Sequence, residues 1–453
     1  MSATTIPSSA VLRGVVLLVC LIFAGFYGAT QTRIEYRDGQ PYDAESYVEM
    51  ASQAARHQPL SSSKPFVYRV ALPWMVGTLF PDDLLGGFRT INVITGVLTF
   101  GVLFTVLTRF AAGLALGLTL FLFVVNPNGP FRFSHFYPAL TDYPALLCIL
   151  LILFIHHRWP GTNPWKIATT SIVTLLGVAF REIAITAPAA LLAVAWLSAL
   201  SPGNGLTLRQ RARALLSPWL IPVAVGIVGI ALTRVVVTPV GDYSFSVAAL
   251  ASVRNNLTNP LTLPLALFTC YGPCLVLLVP YWRAVWAKLA EHPEFGTYFM
   301  VIAVLAIFGG THTDRFVYWT FPVVLPLLAV AIGSLSSERL SIYSVTLIAS
   351  IAVVQILAFR IFGTFPNASF DALASPGRPS LWLFGPFGDD ANFAQMYAAY
   401  MGSWSRVTLL SQFAGFSCWS LTLYWLHRRS LHRAGSDECA IVAKRGKRPA
   451  TPS

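Results

Sequence analysis

Long apolar runs alternate with short polar breaks along almost the whole chain. With about 20 apolar residues taken as one crossing of a bilayer, the pattern predicts about twelve spans. They fall at residues 12–29, 90–108, 112–126, 138–156, 166–180, 184–200, 217–238, 261–281, 297–311, 316–334, 341–362 and 405–426. The third, fifth and ninth are short, as broken or tilted helices are. Two pieces between the first and second spans follow another rule. Tyr47, Met50, Ala51 and Ala54 recur at i, i+3, i+4 and i+7, with Glu45, Glu49, Gln53 and Arg56 opposite. That spacing predicts a short amphipathic helix over 44–56, lying at the interface. VALPWMVGTLF (70–80) is too short to span and holds Pro73, so it reads as a second interfacial or re-entrant helix.

The expected fold is therefore all-α: an integral, multi-pass membrane protein of about twelve transmembrane helices with interfacial helices in its first outer loop. A transmembrane domain covers 1–427, with a first outer loop at 30–89 and a last outer loop at 363–404; a basic tail follows at 428–453. The first span ends in the small residues FYGAT, as a signal peptide can, but its apolar run is long for one and reads as an uncleaved anchor.

Composition agrees. The 453 residues are 55% hydrophobic and 11% charged, where a soluble protein carries about 25% charged residues. Six scattered cysteines, mostly inside apolar runs, complete no metal site and give no redox compartment. The net charge of +12 could suggest nucleic acid, but its distribution points elsewhere. With the N-terminus in the cytoplasm, the inner segments hold 17 of the 31 cations and five of the 19 acids, which is the entire net charge. Cationic inner loops set orientation, and the tail suits anionic membrane lipids. Both termini are then cytoplasmic, and nucleic acid is not an expected partner.

Candidate chemistry lies where polar residues interrupt apolar runs. YRDGQPYDAESYVEM (36–50) places Asp38, Asp43, Glu45 and Glu49 beside the first span. Asp142 in TDYPALL opens the fourth span, Arg181–Glu182 in AFREIAITAP separates the fifth from the sixth, and Asp314–Arg315 in THTDRFVYW stands before the tenth. The charge-derived topology puts all of these on the outer side. Ionisable groups at membrane depth are costly unless paired or wet, and so mark functional sites. Asp43 could act as a general base, and it could equally cap the 44–56 helix. Asp38 in RDG could be a rival base or a turn residue. Arg181 and Arg315 suit phosphate oxygens or structural ion pairs, with partners across helices favoured over their own neighbours. Arg69 in PFVYRVALPW could contact substrate or snorkel from an interfacial helix. His135 and His312 make a weak metal case.

The ordered set YDAESYVEMA, PFVYRVALPW, TDYPALL, FREIA and HTDRFVYWTFP resembles the GT-C glycosyltransferases, membrane enzymes that use polyprenyl-phosphate-linked sugars. The resemblance runs through residues 1–335. It implies that the first-loop acid, Asp43 or less surely Asp38, is the catalytic base, and that Arg315 serves the lipid phosphate. Asp314, Arg181, Glu182, Arg69, Asp142 and Tyr47 complete the expected substrate-binding set. The chain lacks the adjacent acidic pair with which some members hold a metal, so no cofactor is expected and a divalent metal is unsupported.

The expected activity is inverting transfer of a sugar from a polyprenyl-phosphate donor to a glycan or lipid acceptor, on the outer face of a bacterial inner membrane. A transporter or flippase for a lipid-linked or anionic glycan, and a glycan polymerase or ligase, are the alternatives.

Overall fold

The computed structural model describes residues 9–433 apart from 35, 41–42, 160, 202–206, 208–209, 211–214, 259–261, 309–312, 339–340, 360 and 363–412. The expected last outer loop, His312 and the tail beyond 433 lie outside the described residues, as does the side chain of Asp314.

Helix α1 (Ser9–Thr30) leads through a 3-10 turn, Tyr36–Gly39, into α2 (Asp43–Ala55). Then come α3 (Ala71–Leu79), α4 (Leu84–Leu107), α5 (Gly113–Val125) and the single turn α6 (Phe133–Phe136). Four apolar helices follow: α7 (Asp142–Arg158), α8 (Pro164–Phe180), α9 (Thr186–Leu200) and α10 (Leu220–Val235). Next are α11 (Phe245–Thr258), α12 (Thr262–Tyr271), α13 (Trp282–Glu291) and α14 (Pro293–Phe308). The described chain closes with α15 (Thr313–Tyr318), α16 (Phe321–Ser337), α17 (Ile342–Ala358) and α18 (413–433).

Burial separates two kinds of helix. α7 and α16 are apolar on every face and buried almost throughout, as helices at the centre of a bundle must be. Around them, outward residues are large and apolar yet exposed: Leu18, Leu21 and Ile22 on α1, Ile94, Val97 and Leu98 on α4, Ile172 and Leu176 on α8, Ile227 and Val228 on α10. So wide an apolar exterior is stable only against hydrocarbon, and the protein is an integral membrane protein. Among the described residues, Leu84–Leu107 and Glu182–Leu200 have the length and hydropathy of a full crossing; eight shorter apolar helices of 10–17 residues accompany them.

Both first-loop helices form where the pattern placed them. The apolar face of α2 is packed inside the protein, with Tyr47, Met50 and Ala51 fully buried, so it is not merely laid on the bilayer surface. α3 approaches so closely that a Cβ on Gly77 would stand 2.1 Å from the Ala51 carbonyl oxygen.

Three expectations need correction. The span read over 261–281 stops at Tyr271 and resumes as a 3-10 turn, Pro273–Leu278. Gly272 there takes φ +71°, which glycine adopts without a steric penalty, and Pro273 has no N–H to extend the helix. Asn126 and Gln355 side-chain amides take up the released carbonyls of Cys270 and Tyr271 at 2.7 and 3.4 Å. The stretch 239–260, which the predicted spans 217–238 and 261–281 leave between them, holds the whole of α11. The chain is also not wholly α: Ser61–Ser63 pairs in parallel with Thr238–Val240, in the register Ser61 to Thr238. Three-residue strands with no alternating apolar pattern leave no periodic trace in the sequence.

Candidate active site

Four distant parts of the chain bring charge to one place. α2 begins at Asp43 and α7 at Asp142, and each carboxylate therefore sits at the positive end of a helix dipole. Arg69 follows the 3-10 turn Phe66–Tyr68. Arg181 and Glu182 lie at the break between α8 and a further 3-10 turn, Glu182–Ile185. Arg181 is extended, with φ −163° and ψ 136°, so the two side chains point to opposite sides and take different partners. Arg315 stands on α15.

Asp142 is the hub. Its Oδ1 accepts from Arg181 Nη1 at 2.6 Å and from the Trp319 indole at 3.0 Å; its Oδ2 accepts from Arg315 Nε and Nη2 at 2.9 and 2.5 Å. The remaining arm of Arg315, Nη1, donates to Asp43 Oδ2 at 2.8 Å, and the Tyr137 hydroxyl donates to Asp43 Oδ1. On the other side, Arg69 donates through Nε and Nη2 to both Glu182 oxygens, and through Nη1 to the Tyr47 hydroxyl at 2.6 Å. The Tyr47 hydroxyl also accepts from Thr141, at 3.4 Å.

Three arginines thus face three carboxylates, a charge balance that makes their burial tolerable. Access is graded: the Glu182 side chain is 48% exposed, Arg315 19% and Asp43 9%, while Asp142 is 4% exposed at the base. Burial opposes the charge of Arg69, but Glu182 and Tyr47 outweigh it and hold the guanidinium above its ordinary value. For Arg181, burial first and Arg69 next lower the value to about 10, so it stays charged near neutral pH. Its guanidinium lies 4.6 Å from the Trp319 ring centroid, a cation–π contact, while its buried Nε has no hydrogen-bond partner among the described residues. Donors are left over in this cluster. Each guanidinium carries five N–H groups, and the described contacts engage three on Arg315 and one on Arg181.

Of the residues singled out from sequence, Asp43, Tyr47, Arg69, Asp142, Arg181, Glu182 and Arg315 meet in this network. Asp38 does not: it is exposed, in the left-handed region at φ 54° ahead of Gly39, and no described contact joins it to the cluster. Tyr137 and Trp319 belong to the site and went unnoticed. Trp319 lies four residues beyond Arg315, one helical turn in register, which is a readable signal. Tyr137, inside the aromatic run FRFSHFY, had none. His135 lies apart from the cluster, packed near Gly28. The cluster's own carboxylates are engaged by arginine. Among the described residues, the grouping with metal-ligand spacing is His157 with His292 and Glu294, at the other end of α7.

No protein-family model matches the chain, and no curated protein matches it. In fold it is similar to ArnT from Cupriavidus metallidurans bound to undecaprenyl phosphate, at 14% identity and a TM-score of 0.49, covering 92% of this chain and 76% of that one. It is also similar to the Archaeoglobus fulgidus oligosaccharyltransferase tethered with an acceptor peptide, at 14% identity and a TM-score of 0.48, covering 84% of this chain and 58% of that one. The same oligosaccharyltransferase in its apo form gives 12% identity and a TM-score of 0.49, over 85% of this chain and 60% of that one. The chain thus spans less than two thirds of the oligosaccharyltransferase's length.

Proposed function

We propose that the protein is an inverting membrane glycosyltransferase that moves a sugar from a polyprenyl-phosphate donor to a hydroxyl acceptor, with Asp43 as general base. The observation that carries this reading is the pairing of a buried carboxylate, Asp43, with an arginine that has N–H groups beyond those the described contacts engage. A base must be ionised and aimed before the acceptor arrives. Arg315 and Tyr137 supply both conditions by donating one to each carboxylate oxygen.

In this mechanism the acceptor hydroxyl hydrogen-bonds to Asp43 and its oxygen attacks the anomeric carbon. The bond from that carbon to the donor's phosphate oxygen breaks on the opposite side. The proton passes to Asp43, while the bond electrons leave with the lipid phosphate, which goes from one negative charge to two. Gain at the phosphate and loss at Asp43 cancel, so the net charge of the site stays constant. Protonated Asp43 releases its hold on Arg315, whose freed N–H turns to the phosphate as charge develops there, the moment at which stabilisation accelerates a reaction. Arg181 supports the same oxygens, and the polyprenyl tail lies along the apolar helices. No cofactor is required. The asymmetry of Lys and Arg supports a site on the outer face of a bacterial inner membrane, both termini in the cytoplasm and the basic tail on anionic lipid.

The test is transfer of sugar from synthetic polyprenyl-phosphate sugars by the purified full-length protein in nanodiscs, with the anomeric configuration of the product read by NMR. Inverted product, lost in Asp43→Asn, is expected. Absence of transfer from a panel of such donors, together with donor movement across the bilayer, would replace this reading with a flippase.

A further inference from the structure

We propose a second site, on the opposite end of α7: a zinc-type divalent metal site formed by His157, His292 and Glu294. His157 is on the last turn of α7; His292 and Glu294 bracket the junction of α13 and α14. The Glu294 Oε1 stands 3.1 Å from His157 Nε2 and 3.5 Å from His292 Nδ1, and the three ligand atoms lie within 4.8 Å of one another. A tetrahedral ion with bonds of about 2.0–2.1 Å needs ligand atoms about 3.3 Å apart. Two of the three edges already match.

Hydrogen bonding does not explain the cluster. The His157 side chain is only 9% exposed, yet its Nε2 has no hydrogen-bond partner among the described residues, although the carboxylate is close. A buried ring nitrogen aimed at a carboxylate without a usable hydrogen bond is what a missing shared ligand leaves behind. The neighbouring cations do not compete for Glu294: Arg109 donates to the His157 carbonyl, and Lys166 Nζ donates to the carbonyls of His156, Trp159 and Gly161. Phe295 stacks on the His157 ring at 5.0 Å and Phe110 meets His292 at 5.3 Å, so aromatic rings hold both imidazoles in place.

Two imidazoles and one carboxylate, without thiolate, favour zinc among available divalent ions and disfavour magnesium, which keeps oxygen ligands and water. Three protein ligands leave a fourth position for water. α7 carries Asp142 on its first residue, about 22 Å from His157 along the helix. The ion therefore takes no part in chemistry at Asp43. It pins the far end of the helix that holds the hub carboxylate to the α13–α14 junction, and so acts as a structural clamp.

The experiment uses full-length protein purified without a histidine tag, stripped with chelator, then titrated with zinc in excess magnesium. We expect one zinc per chain by elemental analysis after desalting, and a rise of several degrees in the thermal unfolding midpoint. His292→Asn and Glu294→Gln should each lose the stoichiometric zinc and the thermal rise, with an unfolding midpoint equal to that of the stripped parent. His292 is partly exposed, so its variant is expected to fold. Wild-type protein that retains no zinc after desalting overturns the proposal, as does zinc retained undiminished by both variants.

Discussion

Arg315 reaches Asp43 across 272 residues of sequence, with Nη1 donating to Oδ2 at 2.8 Å, while its other two nitrogens hold Asp142. One guanidinium thus ties the proposed base to the charge hub, and the consequences of altering each carboxylate differ.

Asp43→Asn keeps shape and an acceptor for Tyr137 but removes the charge. Transfer is expected to fall by about 10²- to 10⁴-fold, the range associated with a lost general base, with a smaller loss of stability than for Asp142→Ala, because Arg315 keeps Asp142 as a counter-ion. Asp38→Asn, exposed and outside the network, should transfer at the wild-type rate. Equal rates for Asp43→Asn and wild type, measured in single-turnover assays, would remove Asp43 from the mechanism.

Asp142→Ala acts on stability. It leaves Arg181, now without a described counter-ion, beside Arg315 in a buried site, and breaking a buried pair this way costs about 3–5 kcal/mol. The variant should express poorly and unfold well below wild type in detergent. Wild-type unfolding behaviour would show that Asp142 does not hold the arginines in place.

Gly77→Ala tests the seating of α2. A Cβ there would stand 2.1 Å from Ala51 O and 2.8 Å from Ala54 Cβ, and backbone does not yield cheaply. Overpacking of this kind costs about 1–3 kcal/mol and should displace Asp43 and Tyr47 together, so that activity falls with stability. Gly101→Ala on α4, where a Cβ meets nothing within 4 Å, is the matched control and should be neutral or stabilising.

His135 sets a pH dependence. Burial, and next the Arg89 charge, lower its value to about 4 from the ordinary 6.5. The unfolded chain therefore binds a proton that the folded protein refuses between pH 6.5 and about 4, and stability declines as pH falls through that window. Thermal unfolding followed from pH 7 to 4 should show the decline, and His135→Gln should flatten it. An identical slope in the variant would assign the effect to other groups.

The course of the helices was legible because hydropathy is a local property: α2, α4 and α7 to α9 lie close to where apolar periodicity placed them. Misreadings came where local rules were overridden. The break at Gly272 depends on Asn126 and Gln355, more than 80 residues away, donating to the released carbonyls. The pairing of Ser61–Ser63 with Thr238–Val240 rests on backbone hydrogen bonds that no side chain announces.

For the site, the sequence by itself determined which residues were anomalous: charges in a chain of 11% charged residues, each interrupting an apolar run, all on one side by the distribution of Lys and Arg. It favoured Asp43 over Asp38 through the helix pattern that starts beside it, but both lie in one polar stretch and their surroundings were not readable. Tertiary structure buries Asp43 against Tyr137 and Arg315 and leaves Asp38 in a surface turn. It also decided that Arg181 serves Asp142 and Arg69 serves Glu182. Pairings of this kind depend on helix packing and on where a backbone is extended, and both are settled only when distant segments meet.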